Sequence, residues 1–249
     1  MKEIGLQVYT VRKYLESADE LSSAFKTVRD AGYSSVQLFG PLDRCEQLGL
    51  AAIDAGLKVL GTTGPTKVFF ENPKETIALH KKLGAIDIGI GGASCKTLAE
   101  LHDFIKQANE FNKMVRDAGM TFSYHNHSYE FERLEGKLIF DELLAGLDPT
   151  IKFVLDTYWV QVGGGDVRYW IEKLKGRVDI IHLKDVKVIW GAPVFAPMGE
   201  GNMWWDGIIP LAKKCGVSHF VVEQDDCKDD DPMDCIRISS DYLHKNFFD

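Results

Sequence analysis

The sequence predicts a closed (β/α)8 barrel, an α/β fold forming a single domain over residues 1–249. Three observations predict it. Eight short apolar runs with strand-like composition alternate with helix-like segments down the whole chain, a pattern that implies parallel strands joined by crossover helices. The length of 249 residues matches the usual size of one such barrel. Polar and ionisable side chains recur at the C-terminal ends of the runs, the position from which barrels of this kind do chemistry.

The elements can be counted in order. Ile4 to Tyr9 reads as the first strand, and about Ser17 to Ala31 as its helix, with Leu21, Ala24, Phe25 and Val28 on one face. Ser34 to Phe39 is the second strand, followed by a helix through Leu48 and Ile53 that stops near Gly56. Lys58 to Leu60 is the third strand. A helix from about Pro73 to Leu83, with proline near its start, leads to the fourth strand, Ile86 to Ile90. Thr97 to Ala118 carries Leu98, Leu101, Phe104, Ile105, Ala108, Phe111 and Val115 at spacings of three and four, and is the longest helical pattern. Thr121 to His125, Ile151 to Asp156, Val178 to Lys184 and Phe220 to Glu223 are strands five to eight.

Three helix-to-strand junctions repeat one phrase: Asp30-Ala31-Gly32, Asp54-Ala55-Gly56 and Asp117-Ala118-Gly119. Each puts glycine where a helix ends in a left-handed conformation, which is structural punctuation without chemistry. Two connections are long. Val186 to Met203 is rich in Gly, Pro and aromatic residues, and the stretch from Trp190 to Trp205 is expected to close over a bound molecule or, alternatively, to form a subunit interface. Asn126 to Gly136 is expected to cover the mouth as well.

Composition excludes several classes. Hydrophobic residues make up 45% of the chain, enough for a sizeable core, and the net charge of -8 argues against a nucleic-acid surface, which needs clustered Lys and Arg. The five cysteines have no regular metal spacing and read as idle thiols in a reducing compartment. The opening Met1-Lys2-Glu3-Ile4 lacks a signal-peptide pattern, and no apolar run is long enough to span a membrane. A cytoplasmic protein facing a small molecule is the expectation, with a homo-oligomer left open.

The chemistry-bearing residues gather at strand ends. Gln7, Gln37, His125, Asp156, His182 and Glu223 all fall there. Asp156, His182 and Glu223 at the ends of three successive strands suit one divalent cation, and strand alternation puts Lys184 on the same face as His182. The stretch Tyr124-His125-Asn126-His127-Ser128-Tyr129-Glu130-Phe131 adds two histidines aimed the same way and a glutamate from the loop beyond. Either His125 or Glu130 would complete the metal set.

The phrases Gly5-Leu6-Gln7-Val8-Tyr9-Thr10-Val11-Arg12, Tyr124-His125-Asn126-His127, Leu155-Asp156-Thr157-Tyr158-Trp159, Gly176-Arg177, His182-Leu183-Lys184-Asp185, Gly199-Glu200-Gly201 and Val222-Glu223-Gln224-Asp225 together resemble the sugar phosphate isomerase/epimerase family of xylose isomerase-like TIM barrels. The similarity spans nearly the whole chain. It implies one divalent ion, Mn most readily and Mg, Co or Zn otherwise, held by four side chains from strands five to eight. The matching positions are Asp156, His182 and Glu223 at strands six to eight, with His125 in the corresponding place at strand five or Glu130 reaching back to serve. Many relatives end strand five in glutamate, so His125 departs from their pattern and puts a two-glutamate proton shuttle in doubt.

The expected function is a metal-dependent sugar or keto-sugar isomerase or epimerase that removes a proton next to a carbonyl through a metal-stabilised ene-diolate. Glu130, His127, Glu223 and Lys184 are the candidate catalytic residues; Gln7, Gln37, Trp159, Lys184 and Trp190 are the candidate substrate contacts. A dehydratase or 3-keto-glycoside lyase acting by β-elimination is the alternative. An endonuclease IV-like hydrolase lacks the necessary basic groove here, and a non-catalytic sugar-binding barrel would not need the ligands. No Gly-rich phosphate loop is present, which suits a neutral sugar.

Overall fold

A computed structural model describes residues 4–248, so the opening Met1-Lys2-Glu3 lies outside it. Eight parallel strands close into a barrel in sequential order. Numbered along the chain, they are β1 (Ile4–Gln7), β2 (Ser35–Phe39), β3 (Lys58–Gly64), β4 (Asp87–Ile90), β5 (Thr121–His125), β6 (Lys152–Asp156), β7 (Ile180–Leu183) and β8 (His219–Val222). Outward-facing strand residues such as Leu6, Val36, Ile88, Phe122, Leu155 and Ile181 bury themselves under the surrounding helices in one large core. Inside the barrel a smaller apolar layer of Leu60, Val154, Ile180 and Val221 forms a floor. The mouth therefore stands above dry, packed side chains.

Among the described residues ten α-helices surround the strands, nine between them and one after the last: α1 (Ala18–Asp30), α2 (Leu42–Asp54), α3 (Thr66–Glu71), α4 (Pro73–Lys82), α5 (Leu98–Asp117), α6 (Ile139–Gly146), α7 (Thr157–Val162), α8 (Val167–Lys173), α9 (Trp205–Lys214) and α10 (Pro232–Asn246). Local chemistry explains their ends. Ser17 and Glu20 form a reciprocal capping box at the start of α1. Gly32, Gly56 and Gly119 adopt φ of 97°, 85° and 78°, as the repeated junction phrase requires. Arg177 closes the α6–β6 turn by donating to the carbonyls of Leu144, Asp148 and Ile151. Its role is structural.

Three elements depart from the sequence reading. β1 ends at Gln7 rather than Tyr9, because the Gln7 side chain accepts from the Tyr9 N–H and starts a 3-10 helix over Val8–Tyr14. β3 runs four residues further than expected, since Gly61 lets its backbone pass close to β4: a Cβ there would lie 2.4 Å from the Asp87 carbonyl oxygen. The expected open loop after β7 is instead an antiparallel hairpin pairing Asp185–Ile189 with Ala192–Ala196. Its turn is Trp190-Gly191, with φ of 50° and 78°, the left-handed pair that a two-residue hairpin turn demands.

Buried Asp185 ties down the segment that follows. Its carboxylate accepts from the backbone N–H of Gly199 (3.0 Å), Gly201 (3.2 Å) and Met203 (3.3 Å) and from Trp205 Nε1 (2.8 Å). The chain passes so close that a Cβ on Gly201 would sit 2.1 Å from Asp185 Oδ1. This anchoring makes the hairpin base a fixed wall of the mouth.

Candidate metal centre

The C-terminal ends of β5 to β8 bring four ligand-type side chains together. One donor atom from each of His125, Asp156, His182 and Glu223 lies within 4.8 Å of the other three, and all four residues are buried. Donors sharing one divalent ion sit roughly 2.0–2.6 Å from it, so a mutual spread of this size matches a common centre. Glu130 is not in the group. Its carboxylate is buried elsewhere, accepting from the Tyr124 hydroxyl (2.6 Å) and the His127 N–H (2.7 Å). Of the two candidates for the strand-five position, His125 is the one that reaches the cluster.

Each ligand is held by its own strand end. Asp156 caps α7: its Oδ1 accepts from the Trp159 N–H at 3.1 Å, which turns Oδ2 toward His125 Nε2 (3.3 Å) and His182 Nδ1 (3.7 Å). Asn126 Oδ1 accepts from the Asp156 N–H at 2.9 Å and fixes the backbone beneath it. His182 presents Nδ1 to Glu223 Oε2 at 2.8 Å, and its Nε2 lies 2.5 Å from Gln37 Oε1. Thr157 Oγ1 ties β6 to the carbonyl of His182 and the backbone of Lys184, each at 3.0 Å.

Lys184 sits inside this group, fully buried. Its ammonium contacts Asp156 Oδ2 (2.9 Å), Glu223 Oε2 (2.8 Å) and Asp225 Oδ1 (3.0 Å). Burial pushes the Asp156 and Glu223 carboxyls up, but Lys184 and the imidazoles outweigh it and hold both well below the ordinary carboxylate range. Burial pushes His182 down, yet the facing Glu223 and Asp156 carry it up to about 9. For His127 burial dominates, with the neighbouring His125 adding to it, and holds the ring down at about 3.

Two features of the protein itself fit a divalent ion here. His182 Nδ1 and Glu223 Oε2 are buried and, although 2.8 Å apart, neither completes a hydrogen bond of good geometry. Three carboxylates also face one ammonium, leaving negative charge that a dication would offset. Two imidazoles with two carboxylates form a borderline donor set, compatible with Mn, Co, Zn or Mg.

A cavity of about 370 Å³ opens above the cluster, lined by His125, His127, Lys184, Glu223 and Asp225 on one side and by Gln7, Tyr9, Phe39 and Pro65 on the other. His127 stacks on Tyr129 and lies 5.6 Å from the Trp159 ring. Buried Trp159 Nε1 and His127 Nδ1 have no hydrogen-bond partner in the protein. Phe195, from the hairpin, stacks on Tyr158 at 4.2 Å and stands 5.7 Å from the Lys184 ammonium.

Two residues expected at the substrate are elsewhere. Gln37 is fully buried beneath the cavity, and Trp190 stands wholly exposed at the hairpin tip. Sequence reasoning gave no role to Asn126 or Asp225, and it placed Phe195 only within the long stretch expected to cover the mouth. Asp225 had a legible signal, since a period of two puts it on the face of Glu223; the roles of Asn126 and Phe195 depend on long-range packing that no local pattern carries in detail.

The fold agrees with what comparison finds. A family model described as xylose isomerase-like TIM barrel matches residues 25–244. The chain belongs to that family. A sugar phosphate isomerase/epimerase from Parabacteroides distasonis is 25% identical, with 100% of this chain and 99% of that one covered and a TM-score of 0.86. An L-ribulose 3-epimerase is 17% identical over 98% of this chain and 94% of its own, with a TM-score of 0.73. A probable 3-DHS dehydratase involved in petrobactin synthesis from Bacillus anthracis is 13% identical over 98% and 99%, with a TM-score of 0.76. No curated protein matches the sequence. Among the described residues, no helix is long and apolar enough to cross a membrane.

Proposed function

We propose that this chain is a divalent-metal-dependent isomerase or epimerase of a sugar or keto-sugar, removing a proton next to a carbonyl to give an ene-diolate. The observation that carries the reading is the convergence of His125, Asp156, His182 and Glu223 beneath one cavity. The isomerase and epimerase names of similar structures support it. A divalent ion bound there supplies Lewis acidity toward a carbonyl and its neighbouring hydroxyl.

The chain's own residues do the remaining work. His127 lines the cavity with a ring that burial keeps neutral, and it is the candidate to take up a proton from a carbon held against it. Glu223, just past the end of β8, is the second candidate proton carrier at the cavity. Lys184 keeps its proton among the carboxylates, and its positive charge at the cavity wall offsets the negative charge that grows on the substrate oxygen. Gln7 and the free N–H of Trp159 hold hydroxyls, and Phe195 and Tyr158 exclude water. Glu130 acts indirectly, by fixing the backbone of His127.

A neutral sugar suits the cavity better than a phosphate ester. Lys184 is the one cation among the residues lining it, and three carboxylates already engage that ammonium. The loop after β8, where barrels often bind phosphate, carries Asp225, Asp226, Asp229, Asp230 and Asp231.

A second reading, dehydratase or 3-keto-glycoside lyase by β-elimination, is favoured by one observation. With His125 in the cluster and Glu130 locked away, β5 contributes no carboxylate to a two-carboxylate shuttle. Incubating the metal-loaded protein with ketoses and 3-keto-glycosides in deuterated water, followed by proton NMR, separates the two. Deuterium beside the carbonyl with a new stereoisomer supports the first reading, and loss of water or alcohol supports the second. Absence of exchange on every substrate counts against both.

A further inference from the structure

Gln7 and Gln37 are direct partners across β1 and β2, yet they meet different surroundings. Gln7 lines the cavity, whereas Gln37 is fully buried beneath it with both ends of its amide engaged by protein. Its Nε2 donates to the Thr62 carbonyl at 3.3 Å, and its Oε1 lies 2.5 Å from His182 Nε2. A carbonyl only accepts, so the NH2 end of the amide must face Thr62. The oxygen end is thereby turned to His182. An amide oxygen also only accepts, so the proton of that contact belongs to His182 Nε2.

The consequence falls on the other ring nitrogen. With Nε2 protonated, the neutral imidazole carries its lone pair on Nδ1, the atom 2.8 Å from Glu223 Oε2 and 3.7 Å from Asp156 Oδ2. The strand pairing helps to build this relay. Between Val36 and Gln37 the β2–β3 register shifts, so that Gln37 sits opposite Gly61 and Leu60 is passed over. A bulge beside a site commonly re-aims one side chain, and here it brings the Thr62 carbonyl within reach of the amide.

We infer that Gln37 is a positioning residue that selects the tautomer in which His182 offers Nδ1 to a divalent ion, and that it does not touch substrate. The inference rests on the metal-dependent reading above. Acceptors behind ligating histidines fix ring orientation, and their loss costs roughly 10–100-fold in metal affinity.

The test uses the full chain and Zn²⁺, which is diamagnetic. Calorimetric titration compares the natural protein with Gln37→Met, which removes the acceptor, and Gln37→Glu, which keeps one. Nitrogen-15 NMR of the zinc-loaded protein reads the His182 ring, assigned by its loss in His182→Asn. The expected results are a protonated Nε2 and metal-shifted Nδ1, an affinity loss of roughly 10–100-fold in Gln37→Met, and recovery to within a few-fold in Gln37→Glu. A proton on Nδ1, or unchanged affinity in a folded Gln37→Met, overturns the inference. Should Gln37→Met fail to fold, the natural protein's spectrum and Gln37→Glu decide. If the natural protein binds no ion, the metal-dependent reading itself fails; if it binds and the tautomer is wrong, only the role of Gln37 does.

Discussion

Strands β5 to β8 end in, or run straight into, His125, Asp156, His182, Lys184 and Glu223, whereas β1 to β4 end in Gln7, Phe39, Gly64 and Ile90. Two fully buried histidines make the contrast sharper. His80, on α4 behind β3, hydrogen-bonds with the Thr62 hydroxyl and the Thr76 carbonyl and packs edge-on against Phe69, and burial drives it down to about 4. His182 is equally buried, but two carboxylates carry it up to about 9. At the mouth, one half of the barrel thus holds charge because its charges face one another, while the ends of β1 to β4 carry none and His80 behind them stays neutral because a lone buried charge has nothing to offset its desolvation. The neutral half supplies walls and, through Gln37, orientation.

The largest expected effect comes from breaking the charged half. Asp156→Ala removes a ligand and the partner of Lys184, so turnover should fall by more than the ~10–100-fold cost of losing an orienting neighbour. Circular dichroism should stay close to that of the natural protein, since the barrel floor of Leu60, Val154, Ile180 and Val221 is untouched. Gross unfolding would mean that the cluster is structural.

The neutral half is probed by acid. The folded pKa of His80 lies below its unfolded value of 6.5, so the unfolded chain binds the proton first and stability falls as pH drops from 6.5 toward about 4. The loss is roughly 3 kcal/mol at 1.36 kcal/mol per pKa unit. Urea unfolding at pH 7 and pH 4.5 should show a flatter pH dependence in His80→Gln. An unchanged slope would remove His80 from the account.

Smaller effects should follow at the cavity wall. Gln7→Ala is expected to raise KM roughly five-fold, the value of one ~1 kcal/mol hydrogen bond, with metal affinity unchanged. A parallel loss of metal would place Gln7 with Gln37 rather than with the substrate. Trp190→Ala should do least, changing stability by no more than about 0.5 kcal/mol and leaving KM unaltered, because the ring is wholly exposed at the hairpin tip. A rise in KM would instead support closure of that tip over the substrate.

The sequence made the charged half legible and left the neutral half obscure for one reason. Strand alternation and the end of an apolar run are local signals, and they locate Asp156, His182, Lys184 and Glu223. Depth within the barrel is not local. Gln7 and Gln37 look alike along the chain, but the register shift at Val36 and Gln37 and the carbonyl of Thr62 separate their roles. The hairpin was hidden in the same way, since Trp190-Gly191 and Pro193 read as breakers of structure. In fact they form its turn and one strand, anchored to a carboxylate, Asp185, whose partners come from residues 186–205.

The central claim is that His125, Asp156, His182 and Glu223 hold one divalent ion. Calorimetric titration of chelator-treated protein with Mn²⁺ tests it most directly, with Asp156→Ala alongside. The account predicts one ion bound per chain and no measurable binding in the variant. Absence of binding in the natural protein, or undiminished binding in Asp156→Ala, would contradict it.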